Sequence, residues 1–476
     1  MSFLGETMTL RVVELFAGVG GFRIGFESLN NKKKSNLFDV IWSNQWEPST
    51  KKQHAAEIYV RQWMMNPLIN KENYYEGNNK DFFVNEDISK IKLKDIPSHD
   101  LLCGGFPCQD YSVATTKAKG LQGKKGVLWW EILRIIKSKT PKYVLLENVD
   151  RLLKSPVAQR GRDFAIMISS LDELGYIVEW RVIDASEYGF PQRRKRVFLI
   201  AYSPKSQINK KLKKSEHPEK WIEEGIIADS FPIKSLQKFF GVKNFRLRRN
   251  NNDSLADITN QFNIKGSKKS LFENSGVMIN GVVWSTKTEP SFNGKERKLK
   301  DIILIPSKIA DEFIIDPKDI TKKKGWSYQK GSKSEKRKGT DGFVYDYKEG
   351  AITFPDDLNR PSRTIITGEG GISPSRFKHV ILFKPTKTQI NRLNLDSKKN
   401  QAIREKIGIK KSYWIRRLTP IELERLNGFP DDHTIGVTDG KRAFFMGNAL
   451  VCGIVSKLAE SIFYFENKKK LSLCLK

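Results

Sequence analysis

The sequence predicts an α/β fold in which a mainly parallel sheet carries helices on both faces. Apolar, strand-like runs such as LRVVELF, HDLLCGG, KYVLLEN and RVFLIAY recur up to about residue 202. Between them lie stretches such as GKKGVLWWEILRIIKSK, in which apolar residues repeat at helical spacing. Strands that alternate with helices in this way indicate a parallel sheet covered by helices.

The chain divides into three parts by composition. Residues 1–202 carry the alternating pattern, which is lost from about residue 203 to residue 357 and becomes regular again from Arg416. There the lysine runs KKLKK, TKKKGW and GSKSEKRKG occur among many turn residues, with short strands such as SGVMINGVVWS. Residues 440–476 contain a last helix after GNALVCG, which we expect to return to the first part. The middle is therefore predicted to be an inserted, basic and loop-rich domain.

The charge balance indicates a polyanionic partner. The 476 residues include 84 Lys and Arg against 54 Asp and Glu, a formal net charge of +30. A genome biased toward Lys, Asn and Ile codons also favours such a composition, but nucleic acid is the commonest partner of so large a surplus. A membrane surface is disfavoured because no basic amphipathic helix stands out.

Cysteine and histidine usage argues against a disulfide scaffold and against a metal site. The four cysteines form no CxxC pair, and the five histidines lie far apart with no HExxH motif. There is no signal peptide and no apolar run of membrane-spanning length. We therefore expect a reduced, soluble, cytoplasmic protein without a metal.

One cysteine lies where α/β enzymes place their chemistry. In GGFPCQDYS (104–112), Cys108 follows the glycines that end a predicted strand. Cys108 is therefore a candidate nucleophile. Cys103, inside the same strand, is expected to be a buried packing residue.

A glycine-rich turn joins the first predicted strand to a helix. In VVELFAGVGGFRIGFE (12–27), Gly18, Gly20 and Gly21 would let a ligand approach the backbone. A dinucleotide fingerprint needs a further glycine where Arg23 stands, so a pyrophosphate ligand is disfavoured.

Further polar groups follow the other predicted strands. WSNQWEPS offers groups suited to a ribose and an adenine face, and NEDI places Asp87 in a loop. Glu147 ends the apolar strand of LLENVD. FPQRRKRVF adds Arg193, Arg194 and Arg196.

Together these motifs resemble those of the DNA (cytosine-5)-methyltransferase family, in the same order. RRLTPIELERLNGFPDD (416–432) and MGNALV (446–451) are similar to that family's last two motifs. The resemblance covers the first 200 residues and about the last 60. It implies a Rossmann-like, S-adenosylmethionine-dependent methyltransferase fold. Residues 1–202 would be the catalytic and cofactor-binding domain, 203–439 the target-recognition domain, and 440–476 the returning C-terminal helix.

The resemblance also implies the reaction and its residues. The enzyme would transfer a methyl group from S-adenosylmethionine to carbon 5 of a cytosine flipped out of duplex DNA, through a covalent Cys108 adduct. Glu147 would bind ring nitrogen 3 and the exocyclic amine, while Arg194 and Arg196 would bind the ring oxygen and order the Cys108 loop.

The same resemblance implies a set of cofactor-binding residues. They are Phe16, Gly18, Gly20, Gly21, Trp46, Glu47, Asp87, Ile88, Pro107, Asn448 and Ala449. The sequence departs from the family at Gln45, where an acidic ribose ligand is usual, so either Gln45 or Glu47 would bind the ribose. Asn448 keeps its position, although the small residues and prolines that usually follow are replaced.

DNA contacts are expected in three places. The residues are Gln109, Ser112, Arg193, Arg363, Thr367 and Arg376. The last three lie on a strand-like run with a glycine turn (360–377), which is equally compatible with a supporting hairpin. The lysines of GSKSEKRKG are expected to contact phosphates from a flexible loop.

These features predict a partner and a biological setting. The expected partner is double-stranded DNA, the expected state a monomer in the cytoplasm near the nucleoid, and the expected setting a restriction-modification system. A restriction endonuclease acting on the same site would be a functional partner. Two alternatives stay open: a transfer RNA cytosine-5 methyltransferase, and a non-catalytic DNA-binding protein on the same fold.

Overall fold

The chain divides into two compact units. A computed structural model describes residues 9–106, 127–236, 241–247, 254–263, 269–338 and 342–467. The first unit comprises Met1–Tyr188, Lys195–Gly294 and Leu450–Lys476, and the second Gly189–Arg194 and Lys295–Ala449.

The elements of the described residues follow in chain order. The strands are β1 Leu10–Leu15, β2 Phe38–Asn44, β3 Asn66–Pro67, β4 Tyr74–Glu76, β5 Phe82–Val84, β6 Leu101–Gly105, β7 Tyr143–Val149, β8 Ile177–Asp184, β9 Lys195–Tyr202, β10 Lys243–Arg246, β11 Ser275–Ile279, β12 Val282–Thr286, β13 Lys333–Lys338, β14 Val344–Glu349, β15 Val380–Phe383 and β16 Trp414–Arg417. The helices are α1 Gly21–Lys33, α2 His54–Gln62, α3 Val127–Lys139, α4 Arg162–Glu173, α5 Gln207–Leu212, α6 Trp221–Glu224, α7 Ile226–Ser230, α8 Leu255–Gln261, α9 Pro317–Thr321, α10 Trp326–Lys330, α11 Lys387–Arg392, α12 Lys398–Lys406, α13 Pro420–Asn427, α14 Asp439–Asn448 and α15 Cys452–Glu466.

A twelve-stranded sheet forms the framework of the first unit, in the order β10-β12-β11-β8-β9-β7-β6-β1-β2-β5-β4-β3. The neighbours from β7 through β6, β1 and β2 to β5 pair in parallel. The other neighbours within this sheet pair antiparallel. The α/β prediction is confirmed, but the sheet is mixed rather than mainly parallel.

Helices cover both faces of this sheet, as expected. Val144 and Leu146 of β7 pack in one hydrophobic core with residues of α3 and α4. Alternate residues of a strand point to opposite faces, and Tyr143 donates a hydrogen bond of 2.7 Å to Glu466 of α15. The last helix α15 packs on α1, where a side chain at Gly25 would collide with Val455. The last helix therefore belongs to the first unit.

The boundaries of the compact units differ from the expected domain boundaries at 202 and 440. Residues Lys195–Gly294 belong to the first unit because β11 pairs with β8, as in the partners Gly276 and Trp180. A two-residue turn, Asn280-Gly281, with positive φ at both residues, connects β11 to β12. Asn-Gly is the residue pair that such hairpins favour. The extended sheet therefore takes up the first third of the predicted middle domain.

The second unit contains two separate two-stranded sheets, β13–β14 and β15–β16. Its hydrophobic core includes Trp326 and Trp414, both buried. Two expectations about this region were wrong. The segment 360–377 forms no strand, and most of GSKSEKRKG forms strand β13 instead of a flexible loop.

Among the described residues, the stretch Asp439–Glu466, which contains α14 and α15, is long and apolar enough to cross a membrane by length and composition alone. The core helices of soluble proteins meet the same criterion, and 56% of this apolar window is buried inside the protein. No group of three His, Cys, Asp or Glu side chains suited to a metal ion occurs among the described residues.

Candidate active site

The turn after β1 has the strained backbone that a ligand-binding glycine turn requires. Phe16, Gly18 and Gly20 all have positive φ, of 54°, 57° and 85°. Main-chain hydrogen bonds fix the turn, since Ala17 N donates to Asn44 O at 2.9 Å and Gly20 N to Ala17 O at 2.8 Å. A non-glycine residue with positive φ costs free energy and often marks a functional site. The turn therefore lies beside the carboxyl end of β2, with helix α1 starting at Gly21.

The two glycines of this turn differ in what their missing side chains would meet. A Cβ atom at Gly20 would lie 2.1 Å from a ring carbon of Trp63, so Gly20 is needed for packing. A Cβ atom at Gly18 would have no protein atom within 4 Å. Gly20→Val would therefore disturb the packing of Trp63 as well as any ligand at the turn.

Gly18→Ala is the cleaner test of a ligand at this turn. We expect its affinity for S-adenosylmethionine, measured by calorimetry, to fall by about tenfold or more, because the methyl group occupies space that a bound ligand needs. Gly408→Ala is the matched control, since Gly408 also has a positive φ, of 70°, and no protein atom within 4 Å of an added Cβ. Both variants should lose similar stability. An equal affinity in both would contradict ligand binding at this turn.

The end of β2 contacts the glycine turn directly. Gly18 N donates a hydrogen bond of 2.8 Å to Gln45 Oε1, which joins the two loops. Trp46, which follows Gln45 in the chain, is half-buried. Glu47 Oε2 accepts a hydrogen bond of 3.1 Å from Ala55 N, in the first turn of α2. Three predicted cofactor positions, Gly18, Trp46 and Glu47, thus lie on connected loops of the first unit.

The predicted pair Asp87 and Ile88 forms a short turn after β5. Asp87 Oδ1 accepts hydrogen bonds from Ser89 N at 2.9 Å and from Ser89 Oγ at 2.8 Å. Ile88 is buried in the core. Since β5 pairs in parallel with β2, this turn lies at the same edge of the sheet as Trp46.

A buried polar cluster lies beneath the glycine turn. Glu14 of β1 is fully buried, and burial raises its pKa to about 7. It accepts hydrogen bonds from Tyr59 Oη at 3.0 Å and from Ser43 Oγ at 3.3 Å. Arg23 forms a buried ion pair of 2.6 Å with Asp81. Arg23, which replaces the fingerprint glycine, therefore stabilises the start of α1.

Glu147 and Arg196 form the centre of the candidate catalytic site. They lie on the adjacent strands β7 and β9, and Arg196 Nε is 2.9 Å from Glu147 Oε1. Both side chains are partly exposed. Glu147 pairs with Gly105 at the end of β6, where the segment that carries Cys108 begins. Glu147 is therefore placed at the carboxyl end of the parallel strands, as predicted.

Asn148 is a site residue that sequence reasoning missed. Its buried side chain donates a hydrogen bond of 2.7 Å to the carbonyl of Phe106, the last described residue before the Cys108 segment. Its position in the motif ENV, next to Glu147, was the available signal. Pro107, Cys108, Gln109 and Ser112 lie outside the described residues.

Arg194 has a different environment from Arg196. It belongs to the second unit and is 1% exposed. Its guanidinium donates to the carbonyls of Ile365 at 3.1 Å and Gly447 at 2.9 Å. These contacts give Arg194 a structural role in the second unit, and its contact with cytosine stays a prediction.

Three other predicted site residues also belong to the second unit. Asn448 ends α14 with its side chain exposed, and Ala449 N donates to Phe445 O at 2.8 Å. Arg193 has an exposed side chain, and its main-chain N donates to Ser362 O at 2.9 Å. All three stay predictions as ligand contacts.

The arginines expected to contact DNA near the glycine loop have protein partners. Arg363 forms an ion pair of 2.8 Å with the buried Asp356 and donates to the carbonyl of Phe377 at 3.0 Å. Arg376 pairs with Glu349 at 2.9 Å. Thr367 is exposed. The two arginines therefore support the loop, which favours the scaffold alternative for this segment.

Comparison with known proteins gives one consistent family. The model of the C-5 cytosine-specific DNA methylase family matches residues 10–464. The Type II methyltransferase M.Sau3AI of Staphylococcus aureus is 40% identical over 457 residues, which cover 95% of each chain. M.NgoBV of Neisseria gonorrhoeae is 26% identical over 96% of this chain and 99% of its own.

Solved structures show the same fold. A crystal structure of DNMT2 from Spodoptera frugiperda superposes with a TM-score of 0.52 at 13% identity, covering 96% of this chain and all of that one. Dnmt2 from S. pombe gives 0.51 at 15% identity, covering 96% of this chain and 98% of its own. The chain belongs to the C-5 cytosine-specific DNA methylase family, and it is a DNA (cytosine-5) methyltransferase.

Proposed function

We propose that the enzyme methylates a cytosine flipped out of duplex DNA through a covalent adduct with Cys108. Carbon 5 of cytosine is a weak nucleophile. Addition of the Cys108 thiolate to carbon 6 forms a C–S bond and makes carbon 5 reactive as an enamine. When S-adenosylmethionine is bound, carbon 5 would take its electrophilic methyl group, with S-adenosylhomocysteine as the leaving group. Loss of the proton from carbon 5 then expels the thiolate and restores the aromatic ring.

The ion pair between Glu147 and Arg196 is the observation that carries this proposal. A carboxyl group at this position can accept a hydrogen bond from the exocyclic amine of cytosine. It can also donate a proton to ring nitrogen 3 as charge develops during addition. Arg196 fixes the orientation of Glu147 through the 2.9 Å contact and offers donors to the ring oxygen. Asn148 positions the start of the Cys108 segment through the carbonyl of Phe106.

The glycine turn and its neighbours fit S-adenosylmethionine. Gly18 leaves open space where a side chain would stand, and Phe16 adopts a positive φ beside it. Trp46 offers an aromatic face for the adenine, and the loops of Glu47 and Asp87 border the same edge of the sheet. We propose that these residues, with Ile88, Gly20 and Gly21 as their structural support, form the cofactor site.

The net charge and the relatives support the setting in which the enzyme acts. A formal charge of +30 favours duplex DNA, whose phosphates bind lysine and arginine in a salt-dependent way. Relatives that align along their whole length are named Type II methyltransferases. We propose that this monomeric enzyme modifies cellular DNA at one sequence and so protects it from a restriction endonuclease that cuts there.

A labelled methyl-transfer assay tests the substrate class. The enzyme is incubated with S-adenosylmethionine that carries a labelled methyl group, and with either duplex plasmid DNA or transfer RNA. We expect label in the DNA alone, and bisulfite sequencing should locate it at cytosines within one recurring sequence. Label in transfer RNA alone would overturn the proposal in favour of an RNA substrate.

A further inference from the structure

An isolated β-ribbon extends from the core of the second unit. Strands β13 and β14 pair with each other, and neither pairs with another strand in the described parts of the chain. Contacts at the base order the ribbon: Glu349 pairs with Arg376 at 2.9 Å and with Lys333 at 3.4 Å. Lys333 also donates to Gln329 of α10 at 3.2 Å. A lone hairpin is only marginally stable in water, so these contacts explain why the ribbon forms.

The two faces of the ribbon differ in composition and exposure. The register pairs Ser334 with Lys348, Lys336 with Asp346, and Lys338 with Val344 on one face. All six of these residues are exposed, and we call this surface the lysine face. On the opposite face, Arg337 lies 3.5 Å from the ring centroid of Tyr347, and Tyr328 contacts Glu335. The lysine face therefore carries three lysines against one acid and faces solvent.

We propose that the lysine face enters the major groove of duplex DNA and contacts base edges there. This inference rests on the proposed function, because it assumes that the substrate is duplex DNA. The major groove of B-DNA is wide enough to admit a two-stranded β-ribbon, and each base pair shows a distinct pattern of donors and acceptors there. The net positive charge of the lysine face complements the phosphates that border the groove.

The residues of the lysine face also suggest what the ribbon recognises. Lys336 and Asp346 are opposite each other, so a donor and an acceptor lie side by side. A G·C pair shows the complementary pattern in the major groove, with guanine O6 and N7 as acceptors and cytosine N4 as a donor. We assign this pair of side chains to a G·C base pair in the target sequence. Lys338 and Lys348 flank the pair and are placed to contact phosphates.

The distal end of the ribbon favours a partner over a purely protective role. One role of lysines on an edge strand is purely protective: they prevent association between protein molecules. The same end, however, exposes 68% of Phe343, 55% of Val344 and 43% of Tyr345. Exposed apolar side chains would promote association, so protection alone does not explain this composition. Val344 lies on the lysine face, so in a major groove its side chain can contact a thymine methyl group.

Neutralising the lysine face tests the DNA contact. The triple variant Lys336→Gln, Lys338→Gln, Lys348→Gln is compared with a control that carries the same changes at Lys398, Lys399 and Lys410, which are exposed in the same unit. The probe is a short duplex with the sequence that the wild type methylates. We expect the salt dependence of binding to flatten by about one unit of slope per lost phosphate contact in the lysine-face variant only. Equal effects in both variants would overturn the proposal.

Asp346→Asn tests the base contact. The measured quantity is the ratio of the affinities for the target duplex and for a duplex in which one G·C pair is exchanged. We expect this ratio to fall by about 5- to 150-fold when the exchanged pair is the one that Asp346 contacts. Non-specific affinity should stay equal or rise, because a negative charge is removed. If the variant discriminates as well as the wild type at every position, the assignment is wrong. It is also wrong if the variant loses binding to transfer RNA while its binding to DNA is unchanged.

The controls separate this inference from the proposed function. Every variant should keep the wild-type melting temperature and its affinity for S-adenosylmethionine, since the lysine face is remote in sequence from the glycine turn. If the wild type fails to methylate DNA, the proposed function is wrong. If the wild type methylates DNA while the ribbon variants keep wild-type specificity and salt dependence, only the role of the ribbon is wrong.

Discussion

Cys108→Ser is expected to reduce methyl transfer to DNA by roughly 10³- to 10⁶-fold, the range typical for removal of a catalytic nucleophile. A serine hydroxyl is far less ionised than a thiol at neutral pH, so addition to carbon 6 of cytosine becomes very slow. Affinity for S-adenosylmethionine should change little, because the glycine turn and the loop of Trp46 are unaltered. Single-turnover methyl transfer and calorimetry measure the two quantities.

Trapping the covalent adduct makes the test specific. Wild-type enzyme incubated with S-adenosylmethionine and DNA that carries 5-fluorocytosine at the target should give a complex that survives denaturation, because fluorine cannot leave as a proton does. Cys108→Ser should give none. A serine variant that still formed this complex would show that another group is the nucleophile.

Cys103→Ser is the matched control for this substitution. Cys103 lies in β6, fully buried, and burial raises the pKa of its thiol well above the ordinary value. A neutral buried thiol is no nucleophile, so the variant should keep wild-type trapping of 5-fluorocytosine. Its stability should fall by about 1–3 kcal/mol, because a hydroxyl replaces a thiol in an apolar environment. The prediction that Cys103 is buried is confirmed.

The local features of the first unit could be predicted from the sequence because local patterns determine them. An apolar strand followed by three glycines predicted the turn between β1 and α1. In the structure, Gly18 has the positive φ that such a turn needs. The mixed sheet could not be predicted in the same way. Pairing of β11 with β8 joins residues almost a hundred positions apart, and no local pattern specifies that partner.

The roles of individual charged residues were harder to predict for a related reason. Arg363 was expected to contact DNA, but its partner Asp356 and the carbonyl of Phe377 satisfy much of its guanidinium. Sequence alone does not distinguish an arginine paired inside the protein from one that faces solvent. The run GSKSEKRKG was expected to be a flexible loop. Residues Lys333–Lys338 of this run form β13, and the partner strand VYDYKE is rich in strand-forming residues.

Glu147→Gln is expected to reduce methyl transfer by about 10²- to 10⁴-fold, the usual contribution of a positioned general acid or base. The amide keeps the size of the carboxyl group but cannot donate a proton to ring nitrogen 3. It also loses the charge that pairs with Arg196 at 2.9 Å. The two side chains are only 18% and 12% exposed, so removal of the charge of Glu147 should also cost about 1–3 kcal/mol of stability. The variant should stay folded at the assay temperature, which thermal unfolding checks, while its rate of methyl transfer falls.

A second ion pair of the first unit supplies the control for Glu147→Gln. Glu460 of α15 pairs with Lys33 of α1 at 2.6 Å, and the side chains of this pair are 24% and 30% exposed. Glu460→Gln removes a charge of the same kind without touching the strand ends, so methyl transfer should stay at the wild-type level. The 5-fluorocytosine adduct of Glu147→Gln should form slowly, since proton transfer to the ring assists thiolate addition, whereas S-adenosylmethionine affinity should stay normal. If Glu147→Gln formed the adduct and transferred methyl groups within about threefold of the wild-type rate, general acid catalysis by this residue would be excluded.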